Sequence, residues 1–156
     1  MLEISIPGRG RYELKDLVLD LNGTMAVDGE VTEGVEEKLK MLSKLLSISV
    51  VTADTHGSAW RFDESLKIKA QRIEEGKEDV QKLTLVQQLG RENTVSIGNG
   101  SNDALMLKEA ALGICVLGKE GTSIDALMNC DVVVSNINIA LELLLHPDRL
   151  VATLRK

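Results

Sequence analysis

The chain has 156 residues, of which 44% are apolar and 27% are charged, as expected for one compact globular domain. Its formal net charge of −6 excludes a broad basic surface for nucleic acid and a polybasic patch for a membrane. Residues 1–15 contain early charges and no long apolar run, so we expect neither a signal peptide nor a membrane span. Cys115 and Cys130 are isolated in the sequence beside apolar residues, which favours reduced, buried thiols in a cytoplasmic protein.

The first half of the chain predicts two hairpins, a helix and several strands. Gly8 and Gly10 favour a turn between two strands, the second of which ends in a buried run at Asp20. Asp28 and Gly29 favour the tip of a smaller hairpin. The elements expected in order are strand, turn and strand over 2–20, a hairpin over 25–32, a helix from Thr32 or Glu33 to 46, a strand over 47–52, a helix start within 54–65 and a strand over 66–73.

The second half predicts alternating helices and strands. The helix over 77–90 has Val80, Leu83, Val86 and Leu89 as candidate inward positions, and Gly90 is expected to end it. The remaining elements expected are a strand over 94–98, a helix over 101–111, a strand over 112–118, a helix over 121–130, a strand over 131–135 and a helical segment over 136–156 that Pro147 divides.

This alternation predicts the fold class. Strands that read as continuous apolar runs are typical of a parallel sheet covered by helices on both faces. We therefore expect a doubly wound, mostly parallel α/β domain that spans residues 1–156 and begins with a β-hairpin. In such a sheet, ligands bind beyond the carboxyl ends of the strands.

Polar loops follow three of the expected strands, and they begin at Asp20, Thr52 and Gly98. Each loop alone has a structural interpretation, as a turn dipeptide or a helix N-cap. All three, however, fall at the edge of the sheet where a ligand site is expected. Together they favour a functional site over three unrelated turns.

Phosphoryl transfer is the chemistry that these residue types support. A carboxylate such as Asp20 can attack phosphorus and carry the phosphoryl group. The charge that develops on the equatorial oxygens needs a metal, a lysine and neutral donors. The candidates are Asp20 and Asp103 for Mg²⁺, the hydroxyl of Thr52, the backbone N–H groups of Gly23, Thr24 and Ala53, and the amine of Lys82.

The segments DLNGT, TAD, KLTLVQQL and GNGSND, in this order, resemble the four motifs of the haloacid dehalogenase (HAD) superfamily. Within that superfamily, residues 14–145 are most similar to the phosphorylation domain of P-type ATPases and its small soluble relatives. The first and fourth motifs together are specific evidence for this resemblance, whereas TAD and the lysine alone would be weak evidence.

The resemblance implies a role for each matching residue. Asp20 would be the nucleophile and a magnesium ligand, Thr52 would hold the phosphoryl group, and Lys82 would neutralise it, with Lys77 as the alternative lysine. The other roles implied are metal binding by Asn22, Asn99 and Asp103, and phosphate binding by Gly23, Thr24 and Ala53. Asn102 would support the loop of the fourth motif, and the loops that carry the first and fourth motifs are called the first and fourth loops below.

Two residues depart from the family pattern. The phosphatases of the superfamily have a second Asp two residues after the nucleophile, and here position 22 is Asn, which cannot act as a general acid or base. Since that role is worth about 10²–10⁴-fold in rate, slow hydrolysis of an aspartyl-phosphate is expected. Asn99 stands where the fourth motif usually has a metal-binding Asp, so a lower affinity for Mg²⁺ is expected.

The spacing of the motifs predicts an open site without a cap domain. Only 31 residues separate Asp20 from Thr52 and 29 separate Thr52 from Lys82, which is too few for a cap. An open site suits a phosphorylated small molecule, a phosphorylated macromolecule, or a cleft covered by a second subunit of a homo-oligomer. No nucleic-acid or membrane partner is expected.

The sequence supports two functional hypotheses. The first is a capless, Mg²⁺-dependent phosphohydrolase that turns over slowly through an aspartyl-phosphate on Asp20. The second is a catalytically weak phosphate- or partner-binding regulatory module with the same fold, which Asn22 and Asn99 favour. A plain nucleotide-binding domain is less favoured, because no strand is followed by a glycine-rich dinucleotide or P-loop motif.

Overall fold

A computed structural model describes residues 1–53 and 68–156. The helix start expected within 54–65 lies outside the described residues, as do the first two residues of the strand expected over 66–73. Among the residues described, no helix is both long and apolar enough to cross a membrane.

A six-stranded, wholly parallel sheet forms the centre of the described structure, in the strand order β10-β9-β8-β3-β6-β7. The strand β3 lies at its middle, where Leu19 pairs with Ile97 of β8 on one side and with Val50 of β6 on the other. The strands are β3 (Asp16–Asp20), β6 (Ser47–Thr52), β7 (Lys69–Arg72), β8 (Thr94–Gly98), β9 (Leu112–Val116) and β10 (Val132–Val134).

Two antiparallel hairpins lie outside this sheet. One consists of β1 (Leu2–Ile6) and β2 (Gly10–Leu14), and the other of β4 (Ala26–Val27) and β5 (Glu30–Val31). Asp28 and Gly29 form the tip of the smaller hairpin with φ values of 54° and 78°, which explains why an Asp-Gly pair stands there. Both predicted hairpins are present, but the strand expected to run to Asp20 divides at Lys15 into β2 and β3.

Helices cover both faces of the sheet. Successive residues of β3 point to opposite faces, and apolar residues lie on both, so each face needs a covering layer. Leu17 and Leu19 lie in a large apolar core with the first and the last two helices, whereas Val18 lies in a smaller core with the second and third. The helices are α1 (Val35–Leu42), α2 (Glu78–Leu89), α3 (Ala104–Glu109), α4 (Ile124–Met128), α5 (Ile137–Leu145) and α6 (Pro147–Leu154). The prediction of a doubly wound parallel α/β fold is confirmed.

Several helix bounds differ from the sequence prediction: α1 ends at Leu42 rather than at 46, α3 begins at Ala104 rather than at 101, and α4 covers Ile124–Met128 rather than 121–130. Helix α1 begins at Val35 rather than at Thr32 or Glu33, because Gly34 precedes it in a left-handed conformation with φ of 83°. In α2 the inward face carries Lys82, Leu85 and Val86, while Val80 is 47% exposed. Val80 and Lys82 are about 200° apart around the helix, so turning the lysine inward turns Val80 outward.

The interval between the first two motifs is fully described and contains no cap domain. Residues 21–51 form the β4–β5 hairpin, α1 and most of β6. This hairpin is the only extra structure inserted between Asp20 and the helix that follows.

The two cysteines are neighbours in the structure, although they are distant in sequence. Cys115 is fully buried on β9, and Cys130, which precedes β10, packs against the same small cluster. Burial raises the pKa of Cys115 to about 12, and Cys130 adds to the effect. Thiols that are isolated in the sequence are therefore brought together by the fold, because β9 and β10 are adjacent in the sheet.

Candidate active site

The carboxyl ends of the three central strands open into one cleft. Asp20 ends β3, Thr52 ends β6 and Gly98 ends β8, and these strands are adjacent in the sheet. The cleft has a volume of about 650 Å³. Its lining residues are Asp20, Asn22, Thr52, Ala53, Glu78, Lys82, Asn99, Gly100, Asn102, Glu120, Gly121, Thr122 and Ser123.

A buried lysine joins two carboxylates at the base of the cleft. Lys82 Nζ lies 2.8 Å from Asp20 Oδ1 and 2.7 Å from Asp103 Oδ1. Lys82 is 1% exposed, Asp103 is fully buried and Asp20 is 7% exposed. The structure therefore places Lys82 beside Asp20, whereas the alternative Lys77 is exposed ahead of α2. With all three groups ionised, this triad has a net charge of −1.

Burial is the main influence on the protonation of Asp20. Desolvation and then the negative charge of Asp103 raise the pKa of Asp20, and Lys82 opposes both effects, with a net pKa of about 7. The two carboxylates outweigh burial at Lys82 and raise the pKa of that amine, so the lysine stays protonated. The Asp20 carboxyl is thus close to its titration point near neutral pH.

Asp103 holds its loop and the lysine, and it does not line the cleft. Its Oδ2 accepts hydrogen bonds from the backbone N–H groups of Asn99 and Gly100, both at 2.9 Å, while Oδ1 accepts from Lys82. A Cβ on Gly98 would lie 2.5 Å from Asp103 Cγ, so only glycine lets this carboxylate pack against the end of β8. In the fourth loop, Asn99 rather than Asp103 presents a side chain to the cleft.

Thr24 links the first and fourth loops. Its hydroxyl lies 3.2 Å from Asp20 Oδ2 and 3.0 Å from Asn99 Oδ1. Because a hydroxyl has one proton, Thr24 can donate to only one of these oxygens at a time. Thr24 is 2% exposed and lies behind the cleft, so its side chain orients Asp20 and Asn99.

The backbone N–H groups of the first loop differ in their availability. Gly23 N donates to Ala26 O at 2.8 Å and Leu21 N donates to Val51 O at 3.3 Å, so both are engaged. Within the part of the chain that the structure describes, Asn22 N donates to no acceptor. Among the described residues, the N–H groups of Asn22, which sequence reasoning did not consider, and of Thr24, which it did, are both without an acceptor in this loop.

The side chain of Asn22 is turned toward the second motif. Its Nδ2 donates to Thr52 Oγ1 across 3.4 Å, which leaves its amide oxygen unused by that bond. Thr52 is 2% exposed, and both residues line the cleft. The first and second motifs thus share a polar contact between the Asn22 amide and the Thr52 hydroxyl.

Two acidic residues on the cleft wall escaped the sequence analysis. Glu78 lies one helical turn before Lys82, and its Oε2 accepts a hydrogen bond from Asn102 Nδ2 at 2.6 Å. Glu120 lies in a turn after β9, a fourth strand whose carboxyl end meets the same edge. The i, i+4 spacing to Lys82 and the Gly-x-x-Gly segment after an apolar strand were the signals that could have found them.

Solved structures of other proteins share this fold. The 3-deoxy-D-manno-octulosonate 8-phosphate phosphatase from Moraxella catarrhalis, solved with magnesium, phosphate and KDO, superposes with a TM-score of 0.68 over 90% of this chain and 92% of its own, at 18% identity. The cobalt-bound deoxy-D-mannose-octulosonate 8-phosphate phosphatase from Haemophilus influenzae gives 0.65 over 86% and 88%, at 17% identity. The protein has the HAD-like fold, as the resemblance of its motifs implies.

Curated relatives define the family more narrowly. The uncharacterized protein MJ0073 of Methanocaldococcus jannaschii is 46% identical over 92 residues, which are 56% of this chain and 99% of that protein. The uncharacterized protein MJ0072 of the same organism is 49% identical over 39 residues, which are 25% of this chain and 89% of that protein. The chain belongs to the same family as MJ0073. No family model matches the sequence.

Proposed function

We propose that this protein is a Mg²⁺-dependent phosphohydrolase that acts through an aspartyl-phosphate on Asp20. The observation that carries the proposal is the contact of Lys82 Nζ with Asp20 Oδ1 at 2.8 Å, at the base of an open cleft. A carboxylate held beside a buried ammonium group is an oriented nucleophile with positive charge ready for the incoming phosphoryl oxygens. The solved structures with this fold include phosphatases crystallised with magnesium or cobalt, which supports the same reaction class.

The reaction would proceed in two displacements. An ionised oxygen of Asp20 attacks phosphorus, and the bond from phosphorus to the leaving alkoxide breaks. Lys82 has three protons and uses two on the carboxylates, so the third can bind a phosphoryl oxygen, as can the N–H group of Asn22. Water then attacks phosphorus, and the bond to Asp20 breaks to release phosphate.

The oxygen ligands in the cleft favour only weak binding of Mg²⁺. Asp20 offers a carboxylate oxygen at the cleft, and Asn22 and Asn99 offer amide oxygens, which are the hard donors that Mg²⁺ accepts. Within residues 1–53 and 68–156, no three His, Cys, Asp or Glu side chains form a metal cluster. When bound, Mg²⁺ would neutralise phosphate charge, and water and the substrate phosphate would complete its shell.

A phosphatase assay tests this function directly. Wild-type protein should release phosphate from p-nitrophenyl phosphate only with Mg²⁺, and Asp20→Asn should abolish the release. Acid quenching of a reaction with ³²P-labelled substrate should leave label on wild type and none on Asp20→Asn. Equal labelling of both proteins would contradict the assignment of Asp20 as nucleophile.

A phosphate- or partner-binding module is the second candidate function. Asn22 and Asn99 support it, because neither can carry a proton or the charge of a carboxylate. This candidate predicts tight phosphate binding without turnover, unchanged in Asp20→Ala. The cleft is open in either case, so the ligand can be a small phosphomonoester or a phosphorylated macromolecule.

A further inference from the structure

Hydrolysis of an alkyl phosphate needs a proton carrier that the first motif does not provide. The leaving alkoxide must take up a proton, and the water that attacks later must lose one. Asn22 can do neither, since an amide does not titrate. A titratable side chain that lines the same cleft can take this role.

The described lining of the cleft contains four charged side chains. Asp20 is the nucleophile, and Lys82 is fixed between two carboxylates. Glu78 Oε2 is already engaged by a 2.6 Å hydrogen bond from Asn102 Nδ2. Glu120 is exposed, and within the described residues it makes no hydrogen bond or ion pair, so both of its oxygens are available.

The turn that carries Glu120 is built against the first motif. A Cβ on Gly118 would lie 2.7 Å from Gly23 O, so the two backbones touch. Gly121 N donates to Gly118 O at 3.0 Å, and Gly121 O accepts from Asn99 Nδ2 at 3.1 Å. Contacts with the first and fourth loops therefore fix both ends of this four-residue turn.

Glu120 points toward the residue after Asn22. Its Oε2 lies 2.8 Å from the position that a Cβ on Gly23 would occupy, and Asn99 Nδ2 lies 3.0 Å from the same position. The Glu120 carboxyl is thus at the exposed side of the cleft, while Asp20 is at its base. In an in-line displacement the leaving oxygen departs on the side away from the nucleophile, which is the exposed side.

We propose that Glu120 is the general acid and base of the reaction, in place of the amide at position 22. In the first displacement the protonated Glu120 carboxyl gives its proton to the leaving oxygen as the P–O bond breaks, and the product departs as an alcohol. In the second, the Glu120 carboxylate takes a proton from the attacking water as the Asp20–phosphorus bond breaks. Phosphate leaves, and both carboxyl groups return to their starting states.

This inference rests on the proposed phosphohydrolase function, and leaving-group dependence tests it separately. Glu120→Gln should lower kcat/KM for ethyl phosphate by about 10²–10⁴-fold, because ethoxide cannot leave without a proton. For p-nitrophenyl phosphate the loss in kcat/KM should stay below about tenfold, since p-nitrophenolate leaves unprotonated. The burst of p-nitrophenol should become larger, because hydrolysis of the aspartyl-phosphate has lost its base.

Three further variants complete the experiment. Adding Asn22→Asp to Glu120→Gln should restore activity on ethyl phosphate, because a carboxyl group again borders the leaving oxygen. Glu78→Gln should change both substrates equally, and Glu36→Gln, on the exposed face of α1, should change neither. Glu120 is exposed, so its isosteric replacement should leave the free energy of unfolding unaltered.

The contrary outcomes are distinct. Equal losses on both substrates in Glu120→Gln, or no loss on either, would overturn the role of Glu120 while the phosphohydrolase function stands. Leaving-group dependence in Glu78→Gln instead would move the proton carrier to that residue. A wild-type protein that neither releases phosphate nor labels on Asp20 would overturn the function and this inference together.

Discussion

Lys82 Nζ lies 2.7 Å from Asp103 Oδ1, and neither side chain exposes more than 1% of its surface. A pair removed from water to this degree contributes little net stability while intact, but loss of one partner is costly because the other charge stays buried. This relationship, together with the second contact of Lys82 to Asp20, makes the lysine the common partner of two buried carboxylates.

Replacement of the buried lysine should destabilise the fold. Lys82→Met leaves Asp20 and Asp103 buried without a cation, and the free energy of unfolding should fall by about 3–5 kcal/mol. Urea denaturation at pH 7 measures the loss. Lys77→Met is the matched control, because Lys77 is exposed at the start of the same helix and should change stability by less than about 0.5 kcal/mol. Equal stability of the two variants would contradict the triad.

The raised pKa of Asp20 predicts a pH-dependent stability difference. Because its folded-state pKa of about 7 lies above the unfolded value, the stabilisation is complete below about pH 4 and is lost as the pH rises toward 7. Asp20→Asn removes this loss. As the pH rises across that window, the free energy of unfolding of the variant should therefore increase relative to that of wild type by up to about 1.4 kcal/mol per pH unit.

Urea denaturation of Asp20→Asn and wild type at pH 4.5, 6 and 8 checks this difference. Asp28→Asn is the control, since Asp28 is exposed at a hairpin tip and Asn tolerates its φ of 54°. A difference between Asp20→Asn and wild type that is constant from pH 4.5 to 8 would show that burial of Asp20 does not govern its titration.

Gly98 should be irreplaceable for the site. In Gly98→Ala the new Cβ would approach Asp103 Cγ to 2.5 Å, so Asp103 must move away from Lys82 and from the N–H groups of its own loop. Phosphatase activity should be lost together with about 2 kcal/mol or more of stability. In Gly113→Ala the Cβ would instead meet Leu107 O at 2.3 Å, on β9 away from the cleft.

The two glycine variants therefore separate stability from function. Both should unfold at lower temperature than wild type, but Gly113→Ala should keep the kcat of wild type at temperatures where it is folded. If Gly98→Ala retained wild-type kcat under the same conditions, the packing of Asp103 against β8 would have no role in the site.

Asn99→Asp should lower the stability of the metal-free protein and raise its affinity for Mg²⁺. The new carboxylate adds a hard ligand for Mg²⁺, but it also loses the donor that now reaches Gly121 O at 3.1 Å and places an anion against that carbonyl. Without metal the variant should lose about 1–3 kcal/mol, and Mg²⁺ should raise its Tm more than that of wild type.

Asn93→Asp is the control for this prediction. Asn93 Nδ2 donates to Glu13 O at 2.7 Å, so the substitution breaks the same kind of amide-to-carbonyl hydrogen bond. This bond lies at the amino end of β8, away from the cleft. Its Tm should fall without any response to Mg²⁺. An equal response of the two variants to Mg²⁺ would place the cation elsewhere.

The fold was readable from the sequence because hydrophobic periodicity and strand alternation are local patterns. Which face of α2 points inward was not readable, because Val80 and Leu83 fit an apolar face as well as Leu85 does. The burial of Lys82 determines which of these faces is turned toward the core. A lysine enters a core only when carboxylates from distant segments meet it. That pairing is a tertiary contact, which no periodicity within the helix contains.

The same limit applies to the candidate site. Motif order brought Asp20, Thr52, Lys82 and Asn99 into the sequence hypothesis, and the structure does bring these residues to one cleft, while their chemical roles stay predictions. Glu120 was missed because its position depends on a backbone contact between Gly118 and Gly23, which are 95 residues apart. The Gly-x-x-Gly segment after β9 indicates a turn, but it does not show which loop that turn contacts.

The central place of β3 has a consequence for hydrogen exchange. Its backbone amides are paired with β8 on one side and β6 on the other, so the amides of Val18 and Leu19 should be among the last to exchange with D₂O. The turn over residues 118–121 is exposed and should exchange early. The backbone that carries Asp20 should therefore stay closed while exposed segments at the rim of the cleft exchange.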